Sequence, residues 1–358
     1  MNKFIGAVVV LALILAGIYF GVRFATASKA KAILAEYLDG VGEWSVDSTY
    51  YNPLTQEVVA NGFKTILDDE TEITIKTAKI SGFNQTGDEL AGSGKFEDIR
   101  IDTDSVELSI KSLSSPKIVF DREALLKFKE DPYSATPLKQ LAGFKMEGLN
   151  IAASGDSIFS IESIVGEGSY EADGKILPYP AVGNAVIKNI VFYTKDREYR
   201  VEKTTSSSAY KDGVYDAKID MDSQELFALN AAYAVSGLSD APLSDDAEYL
   251  LTLISSETNY TDRSLINVLL DQYIKGSDTS REEAVDQLML YGALLTERIK
   301  NGDIFLENLS SFLKDPRTLT IKTNPAEPVA MDSLNAIDEL GLSVSFNGGE
   351  PFLIQEGE

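Results

Sequence analysis

Carboxylates are the only abundant side chains in this sequence that could do chemistry. Asp102 and Asp104 stand two apart, as do Asp220 and Asp222; Asp245-Asp246 and Glu282-Glu283 are adjacent pairs. Such pairs could ligate a cation or share acid and base duties across a glycosidic bond. A calcium loop needs further oxygen ligands and a glycine at fixed spacing, and neither Asp102-Asp104 nor Asp220-Asp222 supplies them. Solvated turns explain both pairs. Asp245-Asp246 and Glu282-Glu283 fit helix starts, where acids favour the dipole. The chain has no histidine and no cysteine. That removes Ser-His-Asp and Cys-His nucleophiles, thiolate metal sites and disulfides. No GxGxxG or GxxxxGK[ST] run is present to cradle phosphate. The sequence therefore assigns no catalytic, cofactor-binding or metal-binding residue, and the expectation is a protein that is not an enzyme. A hydrolase would need two acids about 5–9.5 Å apart in a cleft formed by folding. Asn84-Gln85-Thr86, Asn259-Tyr260-Thr261 and Asn308-Leu309-Ser310 fit the glycosylation sequon, which a bacterial product would leave bare.

The chain has 358 residues, and its 32 Lys and Arg against 56 Asp and Glu give a net charge of -24. Only Lys3 and Arg23 are charged within residues 1–27, so the acidity lies beyond them. Such a surface repels phosphate backbones, and no nucleic-acid partner is expected. From Phe4 to Val22 the sequence is uncharged and apolar. As a helix it would span roughly 28 Å, close to the hydrocarbon thickness of a bilayer. Tyr19 and Phe20 suit its interface. Ala25-Thr26-Ala27 resembles a signal-peptide cleavage site, but the run exceeds the roughly 7–15 residues of a typical cleaved signal. A retained anchor is expected, with the membrane as a partner. Lys3 favours a cytoplasmic start, whereas Arg23, Lys29 and Lys31 oppose it. A long acidic domain crosses regardless of such local charge, so the bulk of the chain is placed in the periplasm, tethered by one span to a bacterial inner membrane.

Beyond residues 1–27, the membrane anchor, three segments differ in pattern. Residues 28–205 form a β-rich domain of repeated hairpins after a short amphipathic helix over Ser28 to Asp39. Trp44, Val46, Ser48 and Tyr50 alternate, Asn52-Pro53-Leu54-Thr55 turns, and Val58 to Ile66 runs back. Trp44 is the only tryptophan. It suits either the mouth of an apolar groove or, more simply, the core of the first hairpin. Four stretches then share one plan: Gly62 to Ile80, Asp98 to Leu113, Gly148 to Ile164 and Asn189 to Thr204. Each ends with a similar tetrad (IKTA, IKSL, IESI, VEKT), at offsets of 13, 12, 13 and 12 from the leading Gly, Asp or Asn. A fixed offset suggests stacked hairpins of one sheet, although any meander of similar loop length would resemble it. Asp121 can cap a helix through Phe128, and Thr136-Pro137 can open another. The polar run at 205–213 marks a boundary. Residues 206–314 read as mainly helical, with 222–256 ambiguous. Helices are expected over Asp262 to Ile274, after the capping box Ser280-x-x-Glu283, and over Asp303 to Leu313. Residues 315–358 form a C-terminal β-containing segment, with strands around Leu319 and Leu342 and a helix over Met331 to Leu340. The fold class is α+β: an amino-terminal transmembrane helix, an antiparallel hairpin-rich curved sheet, a helical subdomain of about three helices and closing C-terminal strands.

The run Trp44 to Ile66, WSVDSTYYNPLTQEVVANGFKTI, resembles the start of AsmA-like bacterial envelope proteins, and Ile73 to Phe83 looks like their second element. The resemblance covers about 80 residues including the anchor. It implies a curved sheet with an apolar inner face, tethered to the inner membrane and associated with lipid handling. It carries over no ligand residues. The expected function is shielding of a lipid or other apolar ligand in a β groove. The alternative is an envelope scaffold or protein-interaction subunit without ligand, whose sheet is covered by its own helices.

Overall fold

A computed structural model describes residues 43–357, apart from 53–56, 67–70, 104, 122, 125–137, 173–174, 178–179, 196, 238–251, 276–278, 297 and 331–336. The apolar run Phe4 to Val22, the Ser28 to Asp39 helix and the Asn-Pro-Leu-Thr turn beyond Asn52 lie outside the described residues. Among the described residues no helix is long and apolar enough to cross a membrane. The chain divides into two compact units, Met1–Tyr199 with Asp240–Ala247, and Arg200–Ser239 with Glu248–Glu358.

The first unit is an antiparallel meander. Its strands are β1 (Glu43–Ser45), β2 (Ser48–Asn52), β3 (Glu57–Ile66), β4 (Glu72–Thr86), β5 (Glu89–Asp102), β6 (Val106–Asp121), β7 (Leu138–Ala153), β8 (Asp156–Ser169), a small β9–β10 pair (Glu171–Ala172, Lys175–Ile176) and β11 (Val182–Tyr193). β1 and β2 both pair with β3, and the order then runs β3 to β8 and on to β11. The first hairpin arm thus breaks into two strands at Val46-Asp47. Several strands reach 14 to 16 residues, far beyond the usual five or six. Such lengths need a device that bends them.

That device lies in the repeat. Gly62, Asp98, Gly148 and Asn189, the four leading residues, all have positive φ, at 63°, 52°, 64° and 50°. They occur in β3, β5, β7 and β11, inside strands rather than in turns. Across each of them the ladder keeps one register and leaves unpaired only that residue and the residues opposite, Lys76, Lys111 and Glu162; the register shifts of these ladders lie elsewhere, as at Ser81/Asn84 and Gly92/Gly94. A left-handed residue within a strand bends it and resets its alternation, here without an extra residue on either strand. Glycine enters this region freely, and Asp and Asn tolerate it best among the rest. The tetrads show the reset directly. Ile75 and Ala78 are both buried although three apart, as are Val201 and Thr204 of the fourth tetrad. Strict alternation would place such pairs on opposite faces.

The second unit is also largely an antiparallel meander. β12 (Glu198–Lys211), β13 (Val214–Ser223), β14 (Phe227–Ser236) and β15 (Thr252–Asp262) pair in sequence, followed by β16 (Thr318–Thr323), β18 (Leu342–Phe346) and β19 (Phe352–Leu353). The short β17 (Val329–Ala330) pairs with the start of β15. Residues 205–213, expected as a boundary, instead form the second half of β12 and its Asp212-Gly213 turn. Ser and Thr alternate there on a half-exposed strand, and both turn residues have positive φ, as a tight hairpin requires. The described parts of the ambiguous stretch 222–256 and the start of the expected helical segment are likewise mostly strands, with 238–251 outside the described residues. Between β15 and β16 lie three helices, α1 (Leu265–Ile274), α2 (Arg281–Thr296) and α3 (Gly302–Lys314), close to the expected positions. The capping box forms as expected: Ser280 N donates to Glu283 Oε2 at 2.7 Å, and Glu283 N donates to Ser280 Oγ at 3.2 Å. Phe305 and Phe312 of α3 pack on Phe346 at centroid distances of 5.5 and 5.8 Å, so the helices lean on the closing strands of their own unit. Of the Met331 to Leu340 helix, only a 3-10 turn at Ile337–Leu340 falls among the described residues. Asp121 Oδ1 accepts from Ala124 N at 2.8 Å, as a cap would, but the rest of that predicted helix lies outside them.

Replacing Gly148 with Ala tests the bend. The new Cβ would stand 2.9 Å from Lys111 Cβ at a backbone angle that disfavours side chains. A loss of about 1–3 kcal/mol is expected in urea unfolding. Asp98→Asn, which suits the same conformation, should change stability by under about 0.5 kcal/mol.

Candidate functional site

The bend organises the first unit into rows that run across the strands. On one face the register aligns Phe63, Ile75, Ile99, Ile110, Leu149, Ile161 and Ile190. A second apolar row runs from Ala60 and Ala78 through Phe96, Leu113 and Met146 to Ile164 and Ile187. A third ends on Phe159 and Phe192. From β3 to β7 their members form one core cluster, to which Trp44, Val46 and Tyr51 add their side chains. Trp44 is therefore a half-buried core aromatic of the first hairpin.

Burial along these rows is uneven. Phe63 and Ile75 are 1% exposed, Ile190 is 9%, and Phe192 reaches 48%. Phe159 and Phe192 lie 5.1 Å apart, tilted at 58°. The row that begins at Ile73 is sealed at β3 and β4 and opens to solvent at Phe159 and Phe192, while Ile161 and Ile190 in the neighbouring row stay buried. A large aromatic left half in water forfeits part of the roughly 1.5–3 kcal/mol that its burial would contribute. An exposed cluster of that kind marks a contact surface more often than a lone apolar residue does.

The opposite face carries the two residues per strand that the alternation reset turns outward. They line two shallow grooves of about 800 and 710 Å³. The first passes Asp47, Gly62, Lys76, Asp98, Arg100 and Lys111; the second adds Lys145, Glu147, Glu162 and Lys188. Lys76 pairs with Asp98 at 3.1 Å and Lys145 with Glu147 at 2.5 Å. The Lys145 ammonium, helped by the Ser112 hydroxyl, holds the Glu147 carboxyl below the usual carboxylate range.

Among the described residues, the paired acids read from the sequence lie in separate parts of the sheets and helices. Asp102 ends β5, and Asp104 and Asp245-Asp246 lie outside the described residues. Asp220 accepts from Asn230 Nδ2 at 2.5 Å and Thr205 Oγ1 at 3.3 Å, while Asp222 pairs with Arg263 at 2.8 Å. Both are tied into the sheet. Glu283 serves the α2 cap, and its carboxyl is held below the ordinary range by the Ser280 backbone amide. Among the described residues, no group of three or more acids could hold a metal ion. Asn259 and Asn308 of the sequons hydrogen-bond to Glu257 and to the Ile304 carbonyl. One polar group stands out that the sequence did not signal. Tyr260 donates to Asp262 Oδ1 at 2.5 Å; burial and then the carboxylate push its phenol above the ordinary value. Asp262 Oδ1 also accepts from Ile266 N at 3.0 Å, so the pair fastens the start of α1.

A protein-family model described as "Uncharacterized protein" matches residues 220–347. That span covers the second unit from within β13 to β18 and leaves Met1–Tyr199 outside. No curated protein matches the chain, and no solved structure does.

Replacing Lys145 with Met should raise the Glu147 pKa toward the ordinary glutamate value, read by carboxyl NMR titration. A carboxyl with a depressed native pKa adds stability above its unfolded pKa and loses it as pH falls through the native one. The variant should therefore lose that contribution at neutral pH and unfold with less dependence on pH below about 4.

Proposed function

We propose that this protein is a membrane-anchored extracytoplasmic component of a bacterial envelope, with its bulk in the periplasm, that shields the acyl part of a lipid on the apolar face of its first sheet. The gradient of burial carries this reading: the cross-strand row that is sealed at Ile73, 1% exposed, leaves Phe192 at its other end half in water. An acyl chain laid across β8 and β11 would cover Phe159 and Phe192 without needing a polar partner. The apolar run Phe4 to Val22 would hold the sheet near a bilayer, where such a ligand is available. The absence of histidine and cysteine from the whole sequence fits a role in holding rather than transforming a ligand. The resemblance of Trp44 to Ile66 to AsmA-like proteins points the same way.

A specific observation favours a second reading, an envelope scaffold without ligand. The rows at β3 and β4 are filled by the chain's own side chains, with Trp44 and Tyr51 against them. Exposed apolar side chains such as Leu290 and Tyr291 of α2 would then meet a protein partner.

Native mass spectrometry of the full chain, extracted in mild detergent, separates the two. Lipid shielding predicts a bound lipid mass whose occupancy falls several-fold in a Phe159→Glu, Phe192→Glu double variant. Absence of any lipid mass, or equal occupancy in the variant, would instead favour the scaffold.

A further inference from the structure

The face opposite the apolar rows has a charge pattern that the proposed function does not use. The chain as a whole carries -24. Yet the grooves along the bend are lined by Lys64, Lys76, Arg100, Lys111, Lys145 and Lys188, against fewer acids. Three of those acids are occupied. Asp98 pairs with Lys76, Glu147 with Lys145, and Glu162 accepts from Asn189. Lys64 pairs with Glu72. Arg100, Lys111 and Lys188 have no carboxylate within ion-pair distance among the described residues.

We propose that this groove binds an extended oxyanion, a ligand carrying phosphate or carboxylate groups in series, held by Arg100, Lys111 and Lys188. The three cations come from β5, β6 and β11. Arg100 and Lys111 stand on adjacent strands two residues out of register, about 8 Å apart, and Lys188 lies three strands beyond Lys111, roughly 14 Å away. That spacing suits a chain-like anion crossing the strands rather than one compact ion. The alternation reset makes room for it. Two successive residues per strand face outward there, and Gly148 lets the Lys111 stem lie across it, where a Cβ would fall 2.9 Å from Lys111 Cβ. The Asp47 carboxylate lies over Gly62 and closes that end of the groove to an anion, which leaves the stretch from Arg100 to Lys188 as the binding region. Arg100 offers a planar fork matched to two oxygens, and the lysines add point charges. The chain's overall negative charge repels an anion at long range. At about 0.15 M salt the screening length is about 8 Å, so the local contacts decide.

Calorimetric titration of the full chain with inorganic tripolyphosphate, repeated with citrate, tests the site. Saturable binding of either is expected, and the preferred probe tells phosphate from carboxylate as the ligand chemistry. An Arg100→Gln, Lys111→Gln double variant should bind at least roughly tenfold more weakly. Asp98→Asn should bind more tightly, because it releases Lys76 from its partner while keeping a residue suited to that backbone. Lack of saturable binding by both probes would overturn the proposal, and so would equal binding by native chain, double variant and Asp98→Asn.

Discussion

Everything in the first unit depends on one line of backbone strain. In alternate strands a residue takes the left-handed conformation at the same level of the sheet. Every strand from β3 to β11 then shifts its inside-outside alternation together. One slip in one strand would move its remaining side chains to the wrong face. Aligned slips keep the apolar rows continuous on both sides of the bend. The stabilisation comes from those rows, and the line of slips is the condition for their existence.

The same line divides the labour between faces. Inward, it lets strands of up to 16 residues carry a single core. Outward, it sets two polar residues side by side on each strand and opens the grooves where Arg100 and Lys111 have no carboxylate within ion-pair distance among the described residues. The second unit uses another device. Its helices are held by aromatic contacts of α3 with Phe346 and Phe352, at 5.5 and 5.7 Å from Phe305, and by the Tyr260–Asp262 pair at the entry to α1. A family match confined to 220–347 fits a boundary between two differently built units.

Much of this was legible in the sequence for an identifiable reason. Only Gly, Asp and Asn sit easily at positive φ, so the bend marks itself with Gly62, Asp98, Gly148 and Asn189. The reset leaves two apolar residues three apart, which is the pattern of the tetrads IKTA, IKSL and IESI. The helices announced themselves through 3.6-residue periodicity and the Ser280–Glu283 cap. Residues 205–213 misled because a half-exposed strand rich in Ser and Thr has the composition of a loop. The stretch 222–256 hid two strands because short apolar runs fit either periodicity. The grooves were invisible, since Arg100 and Lys188 are far apart in sequence and meet one face only through cross-strand register. The anchor and the envelope location rest on Phe4 to Val22, outside the described residues.

Cysteine scanning tests the aligned reset most directly, because the chain has no cysteine of its own. Single cysteines at Ile75, Lys76, Thr77 and Ala78, and at Ile110, Lys111, Ser112 and Leu113, would be timed for reaction with a maleimide in the folded chain. The two middle positions of each tetrad should react fast and the two outer ones slowly. Fast and slow positions alternating one by one would contradict the account, because the strands would then run through the bend without changing face.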